Sequence, residues 1–291
     1  MVKIQSQIED ALQMIRASKI TLRPFSIYTL TIVDGGPKKI ISTLSEGSFA
    51  DGKKYTNLAY AVIGPLFTIV DALANEVIPD KSDSDFKIKQ NCLPDSSIDQ
   101  KIFKECYRIL RIMRNFSVHA ISSMSVTDED SILFENSSDD FTKDSRILVS
   151  KEGLNYLATY VVEYISDYKE YSIKHKREIL KSYYTEFRKR LIVFEDGEVS
   201  KKPLLSIKKI NAYFKIGTRF YVENPNYELV NLSKKLKITS GLPSEDDPEW
   251  QSRDYLIEEI NFEDKRYLVP HEALDDNSEI SITEMKEYSL N

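Results

Sequence analysis

The chain has 291 residues, room for about two domains at roughly 150 residues each. Its 41% hydrophobic and 30% charged composition excludes a wholly disordered chain, a collagen and a disulfide scaffold, and two cysteines, Cys92 and Cys106, fit a reducing, cytoplasmic setting. The net charge of −6 is uneven: residues 241–291 carry 15 acidic and four basic side chains, so the rest of the chain is net positive.

Ile4, Ile8, Leu12 and Ile15 recur at helical spacing, so the chain opens with an amphipathic helix. Charges stand in MVKIQSQIEDALQ where an export signal needs an apolar stretch, and none is read there. Beyond Pro24, SIYTLTIV and KKIISTL flank Asp34-Gly35-Gly36-Pro37, which predicts a β-hairpin over 26–44. Residues 55–78 read as a mostly apolar helix kinked at Gly64-Pro65. The longest apolar run, Leu58 to Val70, is interrupted by Pro65 and stopped by Asp71, well short of the roughly 20 residues that span a bilayer.

Residues 79–97 are polar, hold two prolines and read as a loop. Asp83 and Asp85 form an isolated DxD there, the ordinary texture of a solvated loop. Ile98, Ile102, Cys106, Ile109, Leu110, Met113 and Phe116 then line one side of a helix, with Ser96 or Ser97 as its N-cap. SILFE and RILVS predict a second small hairpin within 132–150. From Lys151 to about Phe194 the pattern is helical again, as one helix or two end to end. After Glu195-Asp196-Gly197 short strands and turns take over. The expected organisation is a helical domain over 1–195 and a small acidic α+β module over 196–291.

Several chemistries find no support. None of the glycines forms GxGxxG or GxxxxGK[ST], so a phosphate cradle of either kind is missing. No CxxC or HxxxH pair suggests a metal, no GxSxG elbow suggests a serine hydrolase, and no cofactor is expected.

Two features remain. Within Tyr171–Arg190, the cations Lys174, Lys176, Arg177, Lys181, Arg188, Lys189 and Arg190 alternate with Tyr171, Tyr183, Tyr184 and Phe187. Cations beside aromatic faces suit RNA, by phosphate attraction and base stacking; a solvated helix face over core tyrosines is the plainer alternative. His175, inside this stretch, reads as a surface residue. The second feature is MRNFSVHA, at the end of the strongest amphipathic helix. Asn115 and His119 share a helix face, and Arg114 lies about 140° from His119. A guanidinium grips a phosphate through two hydrogen bonds, and an imidazole moves protons near neutrality. Together with Asn115 they suit metal-free cleavage of RNA, in which the 2′-OH is the nucleophile. The bland alternatives are His119 as a cation at a helix C-terminus and Arg114 paired with a surface carboxylate. Ser122 and Ser123, one turn on, read as caps.

Arg114-Asn115-Phe116-Ser117-Val118-His119 resembles the signature of the HEPN superfamily: Arg, a polar residue, then His after four to six residues. The resemblance covers roughly residues 1–195. It implies a mainly α fold: a HEPN-like helical bundle with small β-hairpin insertions, followed by the C-terminal α+β module. It further implies a metal-independent endoribonuclease of toxin–antitoxin or anti-phage type, acting as a homodimer. Arg114 would hold the scissile phosphate, Asn115 would orient, and His119 would transfer the proton, leaving a 2′,3′-cyclic phosphate and a 5′-hydroxyl. An antitoxin or regulatory partner would be possible. Ile121 stands where some such toxins carry a modifiable Tyr. A non-catalytic oligomerisation or nucleotide- or RNA-binding module is the alternative, with a DNA-binding regulator ranked behind it.

Overall fold

The computed structural model describes residues 2–18, 27–33, 36–40, 59–119, 124–126, 131–135, 145–165, 172–197, 203–216, 219–222, 225–230, 234–240 and 256–290. The chain divides into two interleaved units. One comprises Met1–Arg23, Ser48–Ile165 and Tyr183–Asn211; the other comprises Pro24–Gly47, Ser166–Ser182 and Ala212–Asn291. The division expected at 195/196 therefore meets a first unit that runs on to Asn211 and a second that begins at Pro24.

In the first unit, α1 (Val2–Ser18) buries Ile8, Ala11 and Ile15, a stripe at spacings of three and four. It packs on α2 (Ile63–Val77), which in turn packs on α4 (Ile98–His119). The expected kink at Gly64-Pro65 is instead a helix start. Pro65 stands in the first turn of α2, where its missing N–H has no intrahelical acceptor to lose. Within the stretch expected to be loop, α3 (Phe86–Cys92) forms a short helix capped by Asp85, whose side chain accepts from the Lys87 amide at 2.7 Å. α4 opens with a reciprocal cap: the Gln100 amide donates to Ser97 Oγ at 3.2 Å, and Gln100 Oε1 accepts from the Ser97 amide at 3.2 Å.

Four antiparallel strands complete this unit, in the order β3 (Met124–Val126), β4 (Ser131–Glu135), β5 (Arg146–Ser150) and β6 (Leu191–Glu195). The β4–β5 pairing is the second hairpin expected from the sequence, with Leu133 opposite Leu148. The helical run after Lys151 is two helices, α5 (Lys151–Ile165) and α6 (Ile173–Lys189), and its last residues belong to β6. The first half of α6 is assigned to the second unit and its last turns to the first. The short helix α7 (Ile207–Ile210) follows.

The second unit holds a five-stranded mixed sheet. Its order is β11 (Lys265–Pro270), β10 (Leu256–Phe262), β7 (Arg219–Val222), β1 (Ile27–Val33), β2 (Gly36–Ile40). β1–β2 and β10–β11 are antiparallel, whereas β7 runs parallel to both β1 and β10. A three-stranded antiparallel sheet has the order β12 (Glu279–Ser281), β9 (Lys235–Ser240), β8 (Asn226–Val230). Ile260, Tyr267 and Val269 form a core with Leu236, Ile238, Met285 and Tyr288, and α8 (Ile282–Met285) closes the chain's last turns.

These sheets correct the expected fold class. Helix is the larger share of the described residues, but the helices do not form a bundle to which hairpins are appended. The hairpin over Ile27–Ile40 is present, yet β1 pairs along its other edge with β7, about 190 residues later. A strand edge with unpaired amides and carbonyls seeks a partner, and that partner is invisible to local periodicity. The residues at the turn, 34 and 35, lie outside those described. Among the described residues, no helix is long and apolar enough to cross a membrane.

Candidate phosphate-binding groove

The first unit carries a groove of about 870 Å³ between α1, α2, α3 and the end of α4. Its floor is one face of α2: Gly64, Thr68, Asp71, Ala72 and Asn75 recur at spacings of three and four. Phe86 and Lys89 of α3, Met14 of α1 and Arg114 of α4 stand around it.

Arg114 is held there by its own helix. α4 carries a basic row, Lys104, Arg108, Arg111 and Arg114, at spacings of four, three and three. Three of these side chains are engaged in building the fold. Lys104 donates to the Leu93 and Asn91 carbonyls, at 2.7 and 3.2 Å, and to Asp95. These are the outward carbonyls at the end of α3, where a cation is favoured. Arg108, buried, donates from Nε to Asp196 at 2.7 Å. Arg111, also buried, donates to Gln90 Oε1 on α3 at 2.9 Å. Arg114 differs. Its guanidinium donates to the neutral Asn115 Oδ1 at 3.4 Å and lies over the Phe86 ring, 5.4 Å from its centroid. Phe86 is fixed in turn by the Phe67 ring, edge-on at 4.9 Å and 85°. Among the described residues no carboxylate pairs with Arg114. A half-buried guanidinium on a groove wall, with most of its donors uncommitted, has the chemistry to take an anion through two hydrogen bonds.

The neighbouring cation is already neutralised. Lys89, 3% exposed, donates to both oxygens of Asp71, at 3.1 and 3.0 Å, and the Tyr107 hydroxyl donates to the same carboxylate at 2.7 Å. Burial and the adjacent Asp71 push the Tyr107 hydroxyl far up, so it remains a donor at every physiological pH. Beyond the Lys89–Asp71 pair the groove is lined by one more cation, Arg114 on its wall, and one more carboxylate, Asp83, exposed to solvent.

α4 stays helical through His119, which places that residue about 140° around and about 7.5 Å along the axis from Arg114. The His119 side chain lies outside the described residues, as do Ile121, Ser122 and Ser123. Of the expected catalytic trio, Arg114 and Asn115 are brought into contact.

The basic stretch has a different role from a cationic track. Tyr183, Tyr184 and Phe187 are fully buried, so these aromatics are core rather than stacking platforms. Lys174 pairs with Glu287 at 2.9 Å, and Lys181 with the buried Glu178 at 2.8 Å. Arg188 pairs with Glu105 and donates to the Leu205 carbonyl at 3.1 Å. Lys189 and Arg190 pair with Glu186, at 2.5 and 2.6 Å. Burial alone would raise the Glu186 carboxyl, but hydrogen bonds from Lys189 and Arg190 hold it below its ordinary range. Arg190 also reaches Glu152 at 3.0 Å and lies over the Tyr156 ring. Lys176 and Arg177 engage other groups of the chain as well.

His175 is a correction: it is wholly buried at the start of α6, its ring edge-on to Phe214 at 4.7 Å. His271, without a role in the sequence reading, places Nδ1 2.7 Å from Oε1 of the fully buried Glu258. Burial raises the Glu258 carboxyl, with the imidazole opposing. Among the described residues no group of His, Cys, Asp and Glu is arranged to hold a metal.

What sequence reasoning missed is the rest of the groove: Asn75, Phe86 and Lys89. Phe86 and Lys89 sit in a stretch whose polar composition hides a seven-residue helix. Asn75 shares with Thr68 and Asp71 one polar face of an otherwise mostly apolar helix, a legible signal had α2 been read for what interrupts its apolar pattern. Comparison with protein-family models, with curated proteins and with solved structures returned no match.

Proposed function

We propose that this chain is a metal-independent endoribonuclease whose substrate phosphate binds at Arg114. The observation that carries the reading is the half-buried Arg114 guanidinium, stacked on Phe86 in a groove and without a carboxylate partner among the described residues. RNA is the preferred substrate because its 2′-OH supplies the nucleophile that a site with one cation and one imidazole lacks. The 2′ oxygen bonds to phosphorus, the bond from phosphorus to the 5′ oxygen breaks, and a 2′,3′-cyclic phosphate and a 5′-hydroxyl result. In this scheme Arg114 neutralises the phosphoryl oxygens, Asn115 holds the guanidinium, and His119 takes the 2′-OH proton. A second imidazole, from a symmetric copy, protonates the leaving oxygen. Lys174, Lys181, Arg188, Lys189 and Arg190 are paired with carboxylates of the chain, so RNA engagement is assigned to the groove. Toxin–antitoxin or anti-phage work, in the cytoplasm and with an antitoxin or regulatory partner, is the setting that suits such an activity.

The paired state of 174–190 favours one further reading, a non-catalytic module that binds a nucleotide or short RNA in the same groove. Labelled RNA incubated in EDTA separates the two. The endoribonuclease cuts without metal and leaves cyclic-phosphate ends; Arg114→Ala and His119→Ala each lower the rate at least 100-fold, and only Arg114→Ala weakens binding. Binding without cleavage, unchanged by His119→Ala, establishes the module instead. Cleavage that requires magnesium would overturn the mechanism.

A further inference from the structure

We infer that the groove holds one unstacked nucleobase by its face, against Val118 and Met14, beside the phosphate on Arg114. The inference rests on the RNA reading above and names the part of the strand that the site selects.

Val118 follows Arg114 by four residues, so the two side chains are neighbours on one face of α4. Both line the groove, and Met14 lines it from α1. The buried stripe of α1, Ile8, Ala11 and Ile15, leaves Met14 in the open. Val118 is 53% exposed and Met14 58%. A single exposed apolar side chain is ordinary on a protein surface. Here two of them, from different helices, share a groove with a guanidinium that pairs with no carboxylate among the described residues. One ribose separates a phosphate from its own base, a reach of the same order as one turn of helix. A strand held at Arg114 therefore carries a base to Val118, and the flexible thioether chain of Met14 adapts to the base from α1.

The groove floor carries an independent sign. Gly64 lines it in the first turn of α2. Glycine is the poorest helix former after proline, yet packing does not require one here. Beyond its own helix, a Cβ at this position would meet nothing within 4 Å among the described residues. What the missing side chain secures is open floor.

Apolar contact takes a base by its face, which all four bases have, so the subsite reads strandedness and not sequence. A duplex keeps those faces in the stack, whereas single-stranded RNA can splay a base out. The selected substrate is thus unpaired RNA.

The test uses the full-length protein and labelled oligonucleotides that carry one ribose, at the cleavable linkage, in an otherwise deoxy strand. Copies are made abasic on one side of that linkage or the other, with binding read by anisotropy and cleavage by gel in EDTA. Removing the base on one of the two sides weakens binding roughly 5- to 30-fold, the loss of one buried apolar face. Exchanging that base among the four changes affinity no more than about threefold. Val118→Ser and Met14→Ser weaken the base-bearing strand several-fold more than its abasic copy, a difference that partial unfolding does not imitate. Arg114→Ala weakens both alike. Gly64→Leu fills the floor, keeps the melting temperature and weakens binding of the base-bearing strand. Equal affinity for the base-bearing strand and both abasic copies would overturn the inference and leave the RNA reading standing. So would a preference for one base beyond roughly tenfold, which is the mark of polar edge contacts, a Val118→Ser variant that weakens both strands equally, or a folded Gly64→Leu variant with full affinity. If the unaltered protein neither binds nor cuts any of these strands, the reading of the groove fails, and the base subsite with it.

Discussion

At the scale of single residues, the fold handles most of its buried charge by pairing it, and this makes Arg114 conspicuous. Lys89 is the clearest contrast, since its ammonium lies 3% exposed with Asp71 across both oxygens. Asp71→Asn removes the counter-charge and leaves a buried cation, which costs about 3 kcal/mol or more. The expected outcome is a lower midpoint in urea unfolding. Adding Lys89→Met, an apolar side chain of similar length, restores most of the loss, because the buried charge is then gone as well. A double variant as unstable as Asp71→Asn alone would show that Asp71 acts through Tyr107 instead. The place of Arg114 and Asn115 near the end of an amphipathic helix was legible in the sequence, because the apolar spacing of α4 is a local pattern. The partners that make Arg114 unusual were not. Nothing in the residue order announces that Lys104, Arg108 and Arg111 are spent on α3 and Asp196 while the fourth cation of the row is spared.

At the scale of elements, local signals served wherever local physics decides. The Ser97 and Gln100 cap, the buried stripe of α4 and the β4–β5 hairpin all follow from spacings of two to four residues. The aromatic residues of α6 show the limit of the same reasoning. Periodicity places Tyr183, Tyr184 and Phe187 on a helix, but only packing shows that they face the core. β6 was absorbed into the helical run because its five residues, Leu191–Glu195, follow α6 with one residue between. That tight passage has a testable feature. Gly153 lies in the first turn of α5, and a Cβ there would come within 2.8 Å of Val149 Cγ2 on β5 and 2.9 Å of Arg190 Cβ. Both are near the backbone and cannot swing aside. Gly153→Ala, which favours helix on propensity alone, is therefore expected to lower stability by about 1–3 kcal/mol through overpacking. Thermal unfolding measures it, and a raised melting temperature would mean that β5 and the turn at Arg190 yield more readily than their spacing indicates.

At the scale of the whole molecule, the chain passes between its two units five times, and contacts that complete each unit come from distant sequence. A composition shift near 196 marks a change of texture, from helix to short strands, without marking where the contacts divide. Cutting between 195 and 196 has two consequences. Arg108, buried, loses its carboxylate partner Asp196. β1 loses β7, with which it is paired from Ile27 to Leu30. A buried charge without its partner costs about 3–5 kcal/mol, a large fraction of the 5–15 kcal/mol that holds a typical domain together. The fragment 1–195 is therefore expected to expose β1 and to melt with little cooperativity, while 196–291 lacks two strands of its five-stranded sheet and does not fold alone. Hydrogen exchange decides the matter: amides of 27–33 protected in the full chain become fast in the fragment, and mixing the two fragments slows them again as β7 returns. Two fragments that each melt sharply and protect these amides without mixing would show that the interleaved contacts are dispensable, and that the change of texture at 196 is a true domain boundary.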